Sequence, residues 1–288
     1  MYLADFLQLL VYGVISGSIL ALGAIGVSLI FGILRFAHFA HGDLMTVGAF
    51  CALAAVTGLG LPVIAAIPFA ILGAVVVAVG IDQTIYRRLR RTAPVILLIS
   101  SFGMAMALRA VIQIIWGTQD RVYQSGIQLP YRIGDIVLQP AHVWILAGTA
   151  LLVAAVHLFL QKTSLGKAMR AMSDNMDLAR VTGINAERVI IWTWVMGAGL
   201  AAVAGVFLAM DTRLHPTMGW HMMLPIFAAA ILGGIGKPYG AILGGLIIGV
   251  AQELSTLWLS PAYKPAVAFA IMVFMLIVRP QGLLGGRR

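Results

Sequence analysis

From Leu7 to Leu34 the chain runs without a single charged side chain. Such a stretch crosses a hydrocarbon layer of about 30 Å at about 1.5 Å per residue and leaves length over for tilt. Further apolar runs follow at Leu44–Leu61, Leu61–Ile81, Val95–Trp116, Val143–Leu160 and Val189–Met210, with Arg109 the one Lys or Arg inside the Val95–Trp116 run. With 61% apolar residues and 10% charged over 288 positions, the composition excludes a water-soluble globule, in which about 25% of residues are charged. The predicted class is all-α, a polytopic helical bundle. Glycines 13, 17, 23, 26 and 32 in the first span would weaken a helix in water, but in lipid they let neighbouring helices approach closely.

The last third is less regular. Met222–Val250 reads as two short apolar arms around GGIGKPYG, and a helix broken by Gly and Pro frees backbone groups that lipid cannot satisfy. The break at Gly233–Gly240, which includes Gly234 and Gly236, must therefore face protein or water, and Gly233, Gly234 and Gly236 are candidates for a translocation path or gate. Met222–Gly236 descends, Lys237 lies near the inner face, Gly240–Leu259 ascends and Pro265–Val278 descends. The count is about eight or nine spans in one membrane domain over 1–288, with the N-terminus outside.

The net charge of +9 suits topology better than nucleic acid, because the cations sit in loops between spans. Arg87, Arg88, Arg90, Arg91, Lys162, Lys167, Arg170, Arg180, Arg188, Arg279, Arg287 and Arg288 fall on one side; Arg121, Arg132, Arg213 and Lys264 fall on the other. Loops 82–94 and 161–188 and the C-terminus are thus expected in the cytoplasm. The lone Cys51 lies in an apolar run and reads as a packing residue. The N-terminus lacks the basic region of a cleavable signal peptide.

The longest polar interruption, 161–188, predicts an amphipathic helix of about four or five turns, capped by Ser164 and ended by Gly183. Leu165, Met169, Met172, Met176 and Ala179 form its apolar stripe, while Lys167, Arg170, Asp174, Asp177 and Arg180 form the wet face. Asn185 is placed to cap the next helix. Such a stripe can rest on the lipid interface, or its flexible Met side chains can fill a groove on a partner protein.

Between the first two spans, RFAHFAHGDL carries His38, His41, Gly42 and Asp43. Asp43 can cap the second span, or these groups can line a path or gate. His38, His41 and Asp43 are too few for a metal site, and no metal or other cofactor is expected. Arg109 can snorkel to the outer surface, the placement the sequence favours, or sit in the cavity and contact substrate. Glu253 marks a passage if it faces the bundle, and little if it lies near the outer surface. The chain has no G-x-x-x-x-G-K-[ST] loop, no H-E-x-x-H and no G-x-S-x-G, so no catalytic residues are expected and energy from ATP must enter through other chains.

Four stretches in order, GILRFAHFAHGDLMTVGAF (32–50), LGKAMRAMSDNMDLARVTGINAERV (165–189), AAAILGGIGKPYGAILGGLIIGVAQEL (228–254) and RPQGLLG (279–285), resemble the inner-membrane permease subunits of branched-chain amino acid ABC importers. The resemblance implies a second permease subunit, two cytoplasmic ATP-binding subunits and an extracytoplasmic binding protein that delivers the amino acid. It also makes Leu165–Val181, bounded by Gly166 and Gly183, similar to the segment that couples to the ATPase, which favours docking of the Met stripe over interfacial rest. One departure is His38, where relatives commonly carry an amide. Urea or short amides are an alternative cargo. An ion-coupled transporter using Glu253, Asp43 and Arg109 as a relay is an alternative mechanism.

Overall fold

Helices α1 (Leu3–Leu34), α2 (His41–Leu59) and α9 (Ala186–Asp211) form the buried centre. Around them lie α3 (Val63–Ile81), which runs through a π turn at Asp82–Tyr86 into α4 (Arg87–Leu89), and then α5 (Pro94–Trp116) and α6 (Pro140–Lys162). The short α7 (Ser164–Asp174) and α8 (Met176–Val181) precede α9; α10 (Met218–Gly233), α11 (Pro238–Ser255) and α12 (Lys264–Val278) close the chain. The computed structural model describes residues 3–90, 92–123, 129–134 and 136–285, and their one sheet is the hairpin of β1 (Tyr131–Ile133) and β2 (Ile136–Leu138). Arg91, Arg287 and Arg288 of the charge count lie outside these residues.

Among the described residues seven helices are long and apolar enough to cross a membrane, and the two arms α10 and α11 complete the bundle. The outer helices show their apolar side chains on the outside: Leu151, Ile114 and Ile277 are among the most exposed. That inversion of a water-soluble surface is what a hydrocarbon solvent selects.

The loops gather on two rims. On one, Arg35 donates to the Ser173 carbonyl, and Arg90 bonds Glu187 at 3.0 Å while also pairing with buried Asp82. On the other, Gln8 exchanges two hydrogen bonds with Val137, and Arg121 pairs with Leu214. There, burial holds the Tyr123 hydroxyl above the usual phenol range, and it donates to the Ala49 carbonyl.

Small residues set the central contact. A Cβ at Gly245 would stand 2.6 Å from the Ala21 Cα, and one at Gly13 would stand 2.6 Å from the Val250 Cα, so α1 and α11 meet backbone to backbone. This registers α11 antiparallel along most of α1, from Gly236 beside Gly32 to Val250 beside Gly13. The arms α10 and α11 meet equally closely at Gly233 and Gly240, with Gly234 and Gly236 at positive φ in the turn. Protein satisfies the freed backbone: Leu283 and Leu284 donate to the Leu232 and Gly233 carbonyls at 2.8 and 3.1 Å.

Gly245→Val would force α1 and α11 apart at the cost of about 1–3 kcal/mol for overpacking. Gly58→Ala, where a Cβ meets open space, would be neutral. Thermal denaturation in detergent should therefore show a lowered midpoint for the first variant only.

Candidate functional site

α1 ends at Arg35, which takes φ 58°, a conformation uncommon outside glycine. The chain then climbs back into the bundle before α2 begins. Phe39 N–H reaches Ser101 Oγ at 3.1 Å, seven residues and roughly 10 Å into α5. His41 lies against Gly26, eight residues before the end of α1. The segment between the first two spans is therefore an irregular stretch buried at membrane depth, with His38, His41, Gly42 and Asp43 all buried.

Each of these groups has a distinct neighbour. His38 Nε2 lies 3.2 Å from the Tyr86 hydroxyl, and its ring meets Trp194 edge-on at 4.9 Å. Gly42 touches the backbone of Gly219, and its N–H points to Met223 Sδ at 2.8 Å. Thr46 Oγ1 accepts from Gly219 N at 3.1 Å, locking the start of α10 to the start of α2.

Asp43 does not cap α2, because Ala40 occupies the cap position and no side chain bonds there. Nor does Arg109 snorkel outward, as the sequence suggested. It turns inward as a fork, Nε to Oδ1 at 3.2 Å and Nη2 to Oδ2 at 3.3 Å, with its guanidinium 4.6 Å from the Trp220 ring centroid. Asp43 is 0% exposed and Arg109 20%. A carboxylate at this depth is stabilised by a partner much more than a water-facing one, so pairing outweighs the reach to the surface.

The other path candidates are not gathered here. Gly233, Gly234 and Gly236 form the hairpin turn on the Arg-rich rim. Glu253 lies near the opposite rim, 2.6 Å from Lys264 Nζ, so it cannot complete a relay with Asp43. Tyr86, Trp194, Trp220 and Met223 escaped the sequence reading, since an aromatic or Met in an apolar run carries no signal of its partners. Arg109 did carry one, as the lone cation of its span.

The polar segment also differs from its expected form. It is two helices, because Asn175 leaves the helical conformation and its side chain accepts from Leu178 N to cap α8. Thr163, not Ser164, caps α7 by accepting from Gly166 N at 2.9 Å. Gly183 takes φ 90°, with Ile184 N–H on the Ala179 carbonyl and Gly183 N–H on that of Arg180, the paired closure of a Schellman turn. Asn185 caps α9 as expected.

The Met stripe is not offered to a partner. Gly166, Met169 and Met172 are buried inside the chain, Leu165 and Met176 are half-buried against its core, and a Cβ at Gly166 would stand 2.6 Å from the Leu160 Cα. An amphipathic helix covers its apolar stripe with the nearest apolar surface, and here that surface is the bundle's own. What faces outward is Lys167, Arg170, Asp174, Asp177 and Arg180, with two bare apolar residues, Leu178 at 61% and Val181 at 86% exposed. Arg170 bonds Gln161 at 3.0 Å. Behind α7, a cavity of about 470 Å³ opens between Met169, Ser173, Gly32 and the Gly236–Tyr239 turn.

A multi-pass helical bundle with an ion pair held at membrane depth, and with its polar helices folded onto one rim, has the architecture of a membrane permease. The chain belongs to the family described as branched-chain amino acid transport system / permease component, whose model matches residues 9–276. It is 36% identical to the high-affinity branched-chain amino acid transport system permease protein LivH of Escherichia coli (strain K12), over 97% of this chain and 96% of that one. The corresponding protein BraD of Pseudomonas aeruginosa is 33% identical, over 97% and 96%. In fold it is similar to PsaBC from Streptococcus pneumoniae, solved in complex with Fab, at a TM-score of 0.54 and 16% identity, covering 96% of this chain and 92% of that one. It is a multi-pass inner-membrane transport component, not an enzyme.

Removing the Arg109 charge alone would leave Asp43 buried and unpaired, at about 3–5 kcal/mol. Neutralising both groups would recover most of that loss. In a double-mutant cycle on thermal stability, Arg109→Gln should fall well below wild type and Asp43→Asn/Arg109→Gln close to it; equal stability of the single variant would contradict the pairing.

Proposed function

We propose that the chain is one of two permease subunits of an importer that moves branched-chain amino acids into the cytoplasm, driven by ATP hydrolysis on two cytoplasmic partner chains and supplied by an extracytoplasmic binding protein. The branched-chain amino acid transport for which LivH and BraD are named supports the cargo. They favour it over urea or short amides, and the separation of Glu253 from Asp43 gives no footing to an ion relay.

The observation that carries the coupling role is the outward face of α7 and α8. Its rim bears Arg87, Arg88, Arg90, Lys162, Lys167, Arg170, Arg180, Arg188 and Arg279 against Arg121, Arg132, Arg213 and Lys264 on the other, which supports a cytoplasmic position for loops 82–94 and 161–188 and for the C-terminal residues. Leu178 and Val181 project there among charges, the composition of a helix that seats in a partner's groove. The buried Met stripe has the complementary role: it ties this lever to α1, α6 and α9, so that a push on α8 is transmitted to the central helices.

The test separates the two faces. Leu178→Asp/Val181→Asp should leave insertion and thermal stability unchanged, since both residues are exposed, and lower binding-protein-stimulated ATPase activity and uptake by roughly tenfold or more, the effect of losing an interface anchor. Met169→Asp/Met172→Asp should instead destabilise the permease itself. Normal ATPase coupling in the first variant would refute docking through α8.

A further inference from the structure

Arg109 is not surrounded. On α5, Arg109, Phe102 and Gln113 share one flank, while Ser101, Ala105 and Ile112 form the buried stripe. α2 packs against both α5 and α10 and holds them apart, so the two outer helices meet only through side chains: Phe102 lies edge-on to Trp220 at 5.6 Å, and Arg109 sits over the same indole. Phe39 packs beneath this joint, 6.3 Å from Phe102 and 5.2 Å from Phe227. A cation left one-fifth exposed at this depth is costly against lipid, so this flank belongs against water or protein.

Resting on the importer reading above, we propose that this joint, when α5 and α10 part, is a subsite for the charged head of a zwitterionic amino acid. Arg109 takes the carboxylate, Asp43 takes the ammonium, and Phe39, Phe102, Trp220 and Phe227 receive an apolar side chain. Three observations converge on that chemistry. The fork distances of 3.2 and 3.3 Å are long for a charge-assisted pair, and of the five guanidinium N–H groups only two have a protein partner among the described residues. The pair is neutral as a whole, so a zwitterion can exchange one internal ion pair for two external ones without stranding a charge. A lone cation or anion would strand Arg109 or Asp43, and a neutral amide has nothing to exchange. Finally, the walls are aromatic and aliphatic, which suits a hydrocarbon side chain and excludes a second charged group.

The experiment uses the assembled permease–ATPase complex in nanodiscs without binding protein, and measures displacement of radiolabelled leucine. Unlabelled leucine should displace it saturably; 3-methylbutylamine, which lacks the carboxylate, and 4-methyl-2-oxopentanoate, which lacks the ammonium, should each compete roughly tenfold to a hundredfold more weakly, the loss expected for one charge-assisted contact. Asp43→Asn/Arg109→Gln should lose affinity to a similar degree while remaining assembled. Absence of saturable leucine binding, equal competition by either analogue, or wild-type affinity in the double-neutral variant would overturn the subsite. The wild-type competition decides even where that variant does not assemble. ATP-driven leucine uptake by the wild type with its binding protein is measured in parallel: its absence sinks the importer reading, whereas uptake with analogue-insensitive binding sinks the subsite alone.

Discussion

A polar group inside a membrane has to find its partner within the protein, and the unusual features of this bundle follow from that constraint. The chain re-enters the membrane as irregular backbone between Arg35 and Ala40, and this is tolerable because α1, α5, α9 and α10 enclose it. The carboxylate carried in by α2 meets a guanidinium brought from α5. The carbonyl groups freed where α10 breaks are met by the N–H groups of Leu283 and Leu284, which explains why a segment beyond the last long helix packs into the break between two earlier ones. Each irregularity is thus paid for by a specific closure elsewhere.

The same constraint links dynamics to function. Helices that meet at glycine, as α1 and α11 do at Ala21–Gly245, form a rigid unit with little room to slide. The side chains between α5 and α10 are a looser joint, because these helices are bridged by a ring pair and one cation–π contact instead of close backbone packing. A bundle with one tight seam and one loose one has a natural line of opening, and α7 is anchored on the tight side through Met169 and Met172.

Much of this was legible in the residues. Charge-free runs set the spans, the glycines of α1 announced close packing, and Gly183 and Asn185 marked a helix end and start that the structure reproduces. What was not legible depended on depth and on partners. A helical period shows that Met169 and Met172 share a face but not which surface covers it, and the covering surface is the chain's own. The capping preference of Asn175 was written in the residue, yet it competed with an uninterrupted apolar period, and the cap won. For Asp43 and Arg109, separated by 66 positions, no local pattern states that they meet. Nor does the local sequence show that the chain rises back into the bundle between α1 and α2, because that rise is set by tertiary packing.

The central claim is that the α5 flank bearing Arg109 faces a hydrated path instead of lipid. Single cysteines at Phe102 and at Ala107, on opposite flanks of α5 and with Cys51 replaced, test it in the assembled transporter with a water-soluble maleimide, which reacts only where water reaches the thiol. The account expects Phe102→Cys to be labelled and Ala107→Cys to be protected; protection at 102 together with labelling at 107 would contradict it.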